Sequence, residues 1–447
     1  MFLLSYFAQG IEFTTILATL WSYVNGGLCN SNPALSYGLI ASGRFIAPLL
    51  LGIVTARWFD RNRSMRKLML TIILLMTLGY ALYMVHYSPY IIMLATTLQG
   101  SSFILDVAIN SEMIRVYSGN EVQRIMLFFL IAYSLGEITG PLIIKPLEKV
   151  NLSIESFHIT YGNVAGLVLL TLSAIRLILA YFCTSDLSQE FDLKAHEARG
   201  AGNGEILTRS STIFQTLKNS FTFDAGLLLV QQLYTGCIPS FVGRAFPLVI
   251  ETLGYNNLVL DMCYIGASVC MTIASIIISA TKPSSRGVYV CGIISIVTLL
   301  ICHIVMFLIP MDLSEPVNVL LVITMVLTYA LHWITDMTFM IVTLGKLFPS
   351  SVQSSIEGIR MLVRLVGSFC ASLASVYVYK YFYYLFFVSA PVNLLFLGMM
   401  FLRRHVLSDP KVHSVESLIC FNNDGLRKTY KSFHNQESEN IEAHLEV

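Results

Sequence analysis

Long apolar runs alternate with short polar joints along nearly the whole chain. A helix that crosses the hydrocarbon core of a bilayer needs about 20 apolar residues, and runs of roughly that length recur along this sequence. We therefore predict an all-α membrane protein with twelve transmembrane helices. The predicted spans cover residues 2–24, 35–56, 68–86, 90–113, 125–145, 160–182, 223–247, 258–281, 287–309, 317–344, 356–378 and 382–402.

A polar segment at 184–222 divides these spans into two sets of six. It is rich in Gly, Ser and charged residues and has no apolar period, so we predict a flexible linker. Residues 1–183 and 223–402 are then two six-helix bundles, and residues 403–447 form a polar tail. Corresponding spans of the two halves recur at a similar spacing, although their residues match only faintly. Two parallel six-helix halves place a substrate path between them, near the middle of the membrane.

The composition argues against several other classes of protein. Charged residues make up 12% of the chain and the mean hydropathy is +0.69, whereas a soluble domain carries about 25% charged residues. A formal net charge of +1 gives no reason to expect nucleic acid as a partner. The nine cysteines are scattered, mostly within apolar runs, and indicate neither a disulfide framework nor a metal site. No nucleophile–base pair, metal-ligand set or phosphate loop points to an enzyme or a cofactor.

A short basic segment sets the predicted orientation. The stretch 57–67, between the second and third spans, contains five basic residues. Loops with an excess of Lys and Arg lie on the cytoplasmic side. With this loop inside, the opposite side holds only three basic residues, Lys145, Lys149 and Lys380. Both termini and the linker are therefore predicted to be cytoplasmic.

The orientation also predicts which asparagine can carry a glycan. N-x-[ST] sequons begin at Asn62 and Asn151. Asn62 lies in the predicted cytoplasmic loop, out of reach of glycosylation, whereas Asn151 lies in the opposite loop between the fifth and sixth spans. We expect modification at Asn151 only.

The basic stretch resembles the signature of a transporter family. The segment ARWFDRNRSMRK (56–67) keeps the acidic and basic pair Asp60 and Arg61 and the final basic residues of that signature. Ala56 and Arg63 stand where glycines are usual. The signature is that of the major facilitator superfamily, whose members have twelve helices and transport by alternating access. On this resemblance, Asp60 pairs across the cytoplasmic gate.

Other segments extend the resemblance over nearly all the chain. SLGEITGP (134–141) is similar to the glycine–proline pattern of the superfamily's fifth span. LWSYV (20–24), IRVYSGNEVQR (114–124) and QSSIEGIRMLVRLVGSF (353–369) resemble segments of its lysosomal branch, which is associated with ceroid lipofuscinosis. The tail segment Tyr430–Phe433 fits the short tyrosine pattern read by endosomal sorting adaptors. Together these features favour an endolysosomal membrane, with the plasma membrane as the alternative.

Polar and charged side chains recur at one predicted depth. A charge near the bilayer centre costs roughly 2.5–3.5 kcal/mol on insertion scales, so such residues are rare unless they face a cavity or a partner. Except for Arg44, this polar layer lies on spans one, four, seven and ten, which line the central cavity in the family that the chain resembles. The predicted substrate- and proton-binding residues are Glu12, Arg44, Asp106, Gln231, Gln232, His332 and Asp336.

Two interpretations of this layer remain open. His332 and Asp336 are four residues apart and share a predicted helix face, so with Glu12 and Asp106 they could form a proton relay. Alternatively, Arg44 neutralises Glu12 or Asp106 and the cluster only holds helices together. We do not expect His332 to bind a metal, because no second histidine or cysteine has ligand spacing.

Further charges near the span ends are assigned to other roles. Asp224, Asp261, Glu357 and Glu112 can reach the membrane interface and are excluded from the polar layer. Basic residues near the predicted cytoplasmic ends of spans four, five and eleven, Arg360 among them, are typical of pairs that hold a gate closed. The predicted gating residues are Asp60, Arg61, Arg115, Arg124, Glu137 and Arg364.

These observations predict a carrier that moves a small polar or anionic solute by alternating access, with proton coupling as an option. Two rival functions stay open: an anion-conducting pore on the same fold, and a non-transporting receptor or scaffold that acts through its linker or tail. The predicted partners are a small-molecule or ion substrate, the lipid bilayer and a sorting adaptor. Nucleic acid, metals and cofactors are not expected.

Overall fold

The computed structural model describes most of the chain. The described ranges are 1–25, 32–85, 88–117, 119–149, 152–154, 157–159, 161–186, 221–280, 285–308, 315–348, 352–378 and 382–408. The predicted glycosylation site Asn151, the tail segment Tyr430–Phe433 and nearly all of the 184–222 linker lie outside them.

The helices follow the predicted order of spans. Within the described ranges, eleven helical segments are long and apolar enough to cross a membrane, and the 21-residue apolar helix Phe382–Leu402 forms the last span. The all-helical, twelve-span fold is thereby confirmed. The uninterrupted spans are Phe2–Tyr23, Met65–Tyr83, Gly119–Ile144, Tyr161–Cys183, Phe223–Thr252, Asn257–Ala280, Ser285–Leu308, Gln353–Val378 and Phe382–Leu402.

The other three spans, which the apolar pattern predicts to be continuous, change their winding near the middle. Span two consists of the helices Pro33–Gly43 and Ile46–Asn62. Span four consists of Pro89–Gln99 and Ser102–Val116. Span ten runs as an α-helix over 315–335, then as a π-helical turn at Asp336–Met340, and ends in a short α-helix over 341–347. π-Helical turns inside α-helices are frequent at functional sites.

Capping residues begin the two broken spans. The Asn32 side chain accepts a hydrogen bond from the backbone N–H of Leu35 at 3.1 Å, and Pro33 follows it. The Ser88 hydroxyl accepts one from the N–H two residues later at 3.3 Å, and Pro89 follows it. A polar cap followed by proline at the first helical position is a strong helix start.

The interruptions of spans two and four touch each other. A Cβ atom added to Gly100 would lie 1.7 Å from the carbonyl oxygen of Arg44, so this approach requires glycine. The Thr96 hydroxyl donates a hydrogen bond to the Ile40 carbonyl at 2.9 Å across the same contact. The two breaks therefore lie at one height in the first bundle.

The two bundles repeat the same helix contacts. Span one packs on span five, and span seven packs on span eleven in the same way. Span two packs on span four, and span eight packs on span ten in the same way. Glycines at the contacts of spans one and five and of spans seven and eleven leave no room for a side chain. An added Cβ would approach a carbonyl oxygen of the facing span to 2.0 Å at Gly10, Gly136 and Gly236, and to 2.3 Å at Gly367.

Two seams join the bundles. In the first seam, span five packs against span eight, and the hydroxyls of Ser134 and Thr272 lie 2.8 Å apart. In the second seam, span eleven packs against spans two and four, and the Ser354 hydroxyl donates to that of Ser111 at 2.8 Å. Any change in the relative orientation of the bundles must alter these contacts.

The basic hairpin between spans two and three is shorter than predicted. Span two continues as a helix to Asn62 and span three begins at Met65, so only Arg63 and Ser64 lie between them. Arg63 has a φ of 49°, in the left-handed region that glycine adopts most easily. This is a position at which the resembled signature usually carries glycine, so Arg63 occupies the turn with its backbone strained.

The loop between spans five and six contains structure that the apolar pattern does not predict. Span five is followed by a 3₁₀ turn at Lys145–Lys149. An antiparallel hairpin then pairs Leu152–Ile154 with Phe157–Ile159. This hairpin is the only sheet among the described residues.

Candidate functional site

A small cavity lies between the two bundles. It is bounded by spans one, two and four of the first bundle and by spans seven, ten and eleven of the second. Two guanidinium groups, those of Arg244 and Arg364, lie in a wall that is otherwise mainly aromatic and apolar. The aromatic residues are Phe13, Phe45, Phe103, Tyr329 and Trp333.

Arg244 is the cation in this wall that lacks a countercharge. Its side chain is buried, and it forms no ion pair with any described residue. The guanidinium carbon lies 5.8 Å from the centre of the Phe13 ring. A buried charge without a partner is costly, so an anion that enters the cavity gains the interaction that the protein does not supply. Arg244 falls within the predicted span 223–247 but is not among the predicted binding residues.

Arg44 and Glu12, both predicted members of the polar layer, form a buried ion pair at 3.0 Å. Arg44 also lies over two cavity rings, 5.1 Å from the centre of Phe13 and 5.4 Å from that of Phe103. Of the alternatives left open by the sequence, this geometry corresponds to neutralisation of Glu12 by Arg44. The positive charge of Arg44 is therefore already balanced within the protein.

Asp336 is the centre of a buried network in the second bundle. Its Oδ1 accepts hydrogen bonds from Arg360 at 3.0 Å and from Gln232 at 2.7 Å. Its Oδ2 accepts one from Arg364. Arg360 also donates to the side-chain oxygen Oε1 of Gln232 at 2.8 Å. Spans seven, ten and eleven are thus joined by a single carboxylate.

Glu357 extends the network to the first bundle. Both of its oxygens accept hydrogen bonds from Arg360 at 2.7 Å. Glu357 Oε1 also accepts one at 3.0 Å from Asn110, whose side-chain oxygen accepts a hydrogen bond from Tyr6 at 2.8 Å. Hydrogen bonds therefore run without interruption from span one through span four into span eleven.

Glu357 was excluded from the predicted polar layer because it lies near a span end, but the beginning of span eleven is packed between the bundles and its side chain is buried there. Glu357 is 3% exposed and Arg360 is fully buried. Arg360 and Arg364 were grouped with gating residues, but both contact Asp336. The spacing of Glu357 and Arg360, three residues apart, is the signal that could have identified this pair.

The structure does not assemble the predicted relay between His332 and Asp336. The His332 ring faces His303 and Tyr234, with centroid distances of 5.7 Å to each. Neither ring nitrogen of His332 has a hydrogen-bond partner among the described residues. The π-helical turn that begins at Asp336 changes the winding at this point, and the two side chains contact different neighbours. The Gln231 amide nitrogen likewise has no partner in the described chain.

Asp106 is near the cavity but outside these networks. It lies one turn after the cavity residue Phe103, with Gln9 beside its carboxyl group and the charges of Arg44 and Arg364 nearby. One carboxylate oxygen is buried with no hydrogen-bond partner among the described residues, and the group forms no ion pair there. Asp106 is therefore a carboxyl group that no described cation neutralises.

Asp60 joins the bundles on the predicted cytoplasmic side. Its oxygens accept hydrogen bonds from the backbone N–H groups of Ser354 at 3.0 Å and Ser355 at 2.8 Å, at the beginning of span eleven. They also accept one from the Ser355 hydroxyl and one from the Arg115 guanidinium. A carboxylate at the first turn of a helix satisfies free N–H groups and is favoured by the helix dipole. We call these four residues the Asp60 latch.

The other predicted gating residues are not part of the Asp60 latch. Arg61 and Arg124 are exposed, and the Arg124 guanidinium lies over the Phe128 ring at 5.8 Å. Glu137 lies on the opposite side of the cavity, in the seam between spans five and eight. Its contacts there cross between the bundles.

We predict that Asp60→Ala opens the predicted cytoplasmic side. Hydrogen bonds to charged groups contribute about 1.5–3 kcal/mol each, and 1.4 kcal/mol is a factor of ten in a population. The open population should therefore rise at least about tenfold. Thiol-reagent labelling of Ser111→Cys, in a protein without its native cysteines, measures this opening. Arg57→Gln, an exposed change on the same span, should leave labelling unchanged. Equal labelling in Asp60→Ala and its parent would show that the Asp60 latch does not hold this side closed.

Two six-helix bundles that enclose a charged cavity are the architecture of a transmembrane transporter with multiple membrane spans. A sequence profile of the Major Facilitator Superfamily matches residues 2–346. The chain therefore belongs to the Major Facilitator Superfamily.

Solved transporter structures share this fold. The human organic anion transporter MFSD10 (TETRAN) superposes with a TM-score of 0.59 at 16% identity, covering 89% of this chain and 97% of that chain. The proton:xylose symporter XylE, bound to 6-bromo-6-deoxy-D-glucose, superposes with a TM-score of 0.65 at 12% identity, covering 90% and 94%. At these identities the likeness concerns the fold alone. No curated protein gives a significant match to the sequence.

Proposed function

We propose that this protein is a secondary active transporter that carries a small organic anion across the membrane by alternating access. The observation that carries the proposal is the buried Arg244 guanidinium, which borders the cavity between the bundles and forms no ion pair with a described residue. An anionic cargo would supply the missing countercharge.

The rest of the cavity wall supports the same class of cargo. Arg364 adds a second cation, although its charge is shared with Asp336. Guanidinium groups bind carboxylate and phosphate oxygens through paired N–H donors. The rings of Phe13, Tyr329 and Trp333 offer apolar faces beside these donors. A planar or partly apolar carboxylate fits this combination better than a neutral sugar.

Cross-bundle contacts on both sides of the cavity favour a carrier over a pore. The Asp60 latch lies on one side. On the other side, the Trp21 indole N–H donates to Glu251 at 2.9 Å, between spans one and seven. The Tyr37 hydroxyl donates to the Arg244 carbonyl at 3.4 Å in the same region. A conducting pore needs both sides open at once, whereas a carrier opens them in turn.

Proton coupling is part of the proposal. Asp106 and Glu137 are carboxyl groups near the cavity that form no ion pair with a described residue. Each is free to exchange a proton without disrupting a salt bridge. The other predicted acidic members of the site, Glu12 and Asp336, are held by arginines.

The cellular setting rests on the sequence alone. We propose an endolysosomal membrane, because of the resemblance to the lysosomal branch and the sorting pattern at Tyr430–Phe433. The excess of basic residues places both termini, the 184–222 linker and the 403–447 tail in the cytoplasm. The bundles 1–183 and 223–402 would move relative to each other, and the transporter would act without enzymatic chemistry.

Arg244→Gln tests the proposed function. In proteoliposomes that contain the full chain, wild-type protein should accelerate uptake of at least one anion among benzoate, succinate and inorganic phosphate, but not of glucose. Loss of a charge-assisted contact worth about 1.5–3 kcal/mol should lower this uptake about 10- to 100-fold.

The matched control for this test is Arg286→Gln, an exposed change on span nine, which should leave uptake unchanged. Unchanged anion uptake in Arg244→Gln would contradict the proposed site. A continuous current without saturable exchange would favour the pore instead.

A further inference from the structure

We infer that Glu137 is a proton-binding group and that Tyr329 transmits its protonation state to the anion cavity. This inference rests on the proposed function and assigns a coupling site to it. Glu137 is on span five and is completely buried. Its Oε2 accepts a hydrogen bond from the Ser268 hydroxyl at 2.8 Å, and its Oε1 accepts one from the Tyr329 hydroxyl at 3.2 Å.

The surroundings of Glu137 contain hydroxyl groups in place of a cation. Span five contributes Tyr133 and span eight contributes Ser268, with Tyr264 close to Tyr329. Span one contributes Thr14, whose hydroxyl donates to the backbone carbonyl of Glu137 at 3.0 Å. Among the described residues, no Lys, Arg or His forms an ion pair with Glu137.

The cations nearest to Glu137 either pair with other carboxylates or border the cavity. Arg44 and Arg364 both lie near Tyr133, and each is paired with a carboxylate. Arg244 lies near Tyr329 and borders the cavity. A carboxylate buried without a countercharge is strongly biased towards its neutral form, so Glu137 can take up and release a proton without breaking a salt bridge.

Tyr329 connects this carboxyl group to the cargo site, because its side chain also borders the cavity. While Glu137 is ionised, the Tyr329 O–H donates to Glu137 Oε1. When Oε1 binds a proton, the new O–H can donate to the Tyr329 oxygen. Tyr329 keeps its own proton, which is then available to an anion in the cavity. Proton binding at Glu137 thereby adds one hydrogen-bond donor to the anion site.

This exchange couples the two ligands in both directions. An added neutral hydrogen bond contributes about 0.5–1.5 kcal/mol, which corresponds to a rise of about two- to tenfold in anion affinity. By linkage, the bound anion favours the protonated carboxyl by the same factor. Because Glu137 and its partners Ser268 and Tyr329 belong to different bundles, the coupling contact also lies in the seam that moves during transport.

Infrared spectroscopy of the full-length protein tests the proton site without a cargo. The difference spectrum between neutral and alkaline pH should contain a carboxylic C=O band from a buried group. Glu137→Gln should remove this band. Glu121→Gln, the same change at an exposed position on the same span, should retain it. Retention of the band in Glu137→Gln, or its loss only in Asp106→Asn, would overturn the assignment.

Anion binding tests the role of Tyr329. Wild-type protein in nanodiscs should bind its preferred probe among benzoate, succinate and phosphate about two- to tenfold more tightly at neutral than at alkaline pH. In Glu137→Gln the introduced amide can donate to the Tyr329 oxygen, so affinity should stay at the neutral-pH value at every pH. Tyr329→Phe should bind with the weaker, alkaline-pH affinity of the wild type at every pH. Wild-type pH dependence in either variant would refute the coupling.

The two proposals fail in different ways. Absence of binding of all three anions to wild-type protein would contradict the proposed function and the anion coupling together. The infrared band would still decide whether Glu137 binds a proton. Conversely, normal anion binding together with retention of the band in Glu137→Gln would support the proposed anion site and contradict the proton site at Glu137.

Discussion

Asp336→Asn should lower the free energy of unfolding by about 3–5 kcal/mol, the cost of removing one partner from a buried ion pair. Asp336 is the only described carboxylate that pairs with Arg364, and it also pairs with Arg360. A neutral amide would leave Arg364 as a buried charge without a countercharge. Its NH₂ group would also be directed at donors of Arg360 or Gln232.

Equilibrium unfolding of the full chain in mixed micelles measures this loss. The matched control is Asp261→Asn, because the pair between Asp261 and Lys145 is longer, at 3.8 Å, and the lysine side chain is 37% exposed. Such pairs contribute less than about 1 kcal/mol. If both variants unfold with the same free energy, the Asp336 network does not stabilise the second bundle.

Gly136→Ala should be similarly disruptive, by about 3 kcal/mol or more, although it adds a single methyl group. The new Cβ would lie 2.0 Å from the Phe7 carbonyl oxygen. This neighbour is helix backbone and cannot turn away as a side chain can. Spans one and five would have to separate, and the contacts of both with the cavity residues would shift.

Gly398→Ala provides the comparison for the glycine variant. It lies within span twelve, and no atom lies within 4 Å of an added Cβ. Alanine is the better helix former by about 0.5–1 kcal/mol, so Gly398→Ala should be neutral or stabilising. Thermal unfolding of both purified variants distinguishes the effects. Equal melting temperatures would mean that spans one and five are not held at this distance.

The hydrophobic pattern predicted the fold well, because a transmembrane helix is specified largely by length and apolar content. It could not predict where a span is interrupted. Thr96 and Gly100 resemble other small residues within a span, and their role depends on span two lying against them. Tertiary contact, not local preference, places these breaks.

Depth alone predicted part of the buried polar network. It identified Glu12, Arg44 and Asp336, and the structure buries all three and pairs Glu12 with Arg44, but none of them lines the cavity. It did not reveal that Arg244 borders the cavity without an ion pair to any described residue, because pairing depends on which side chains meet across helices. His332 shows the same limit: its spacing from Asp336 was correct for one α-helical face, but its ring turns towards His303.

The touching breaks in spans two and four have a consequence for the range of cargoes. Phe45 lies in the first break and Phe103 just after the second, and their ring centroids are 5.9 Å apart in the cavity wall. At the breaks, backbone hydrogen bonds to the third preceding residue replace several of the regular helical bonds, and interruptions of the regular ladder are where helices bend. We therefore expect these two rings to shift with the breaks, so that the cavity can fit molecules of different width while the outer ends of the helices stay in place.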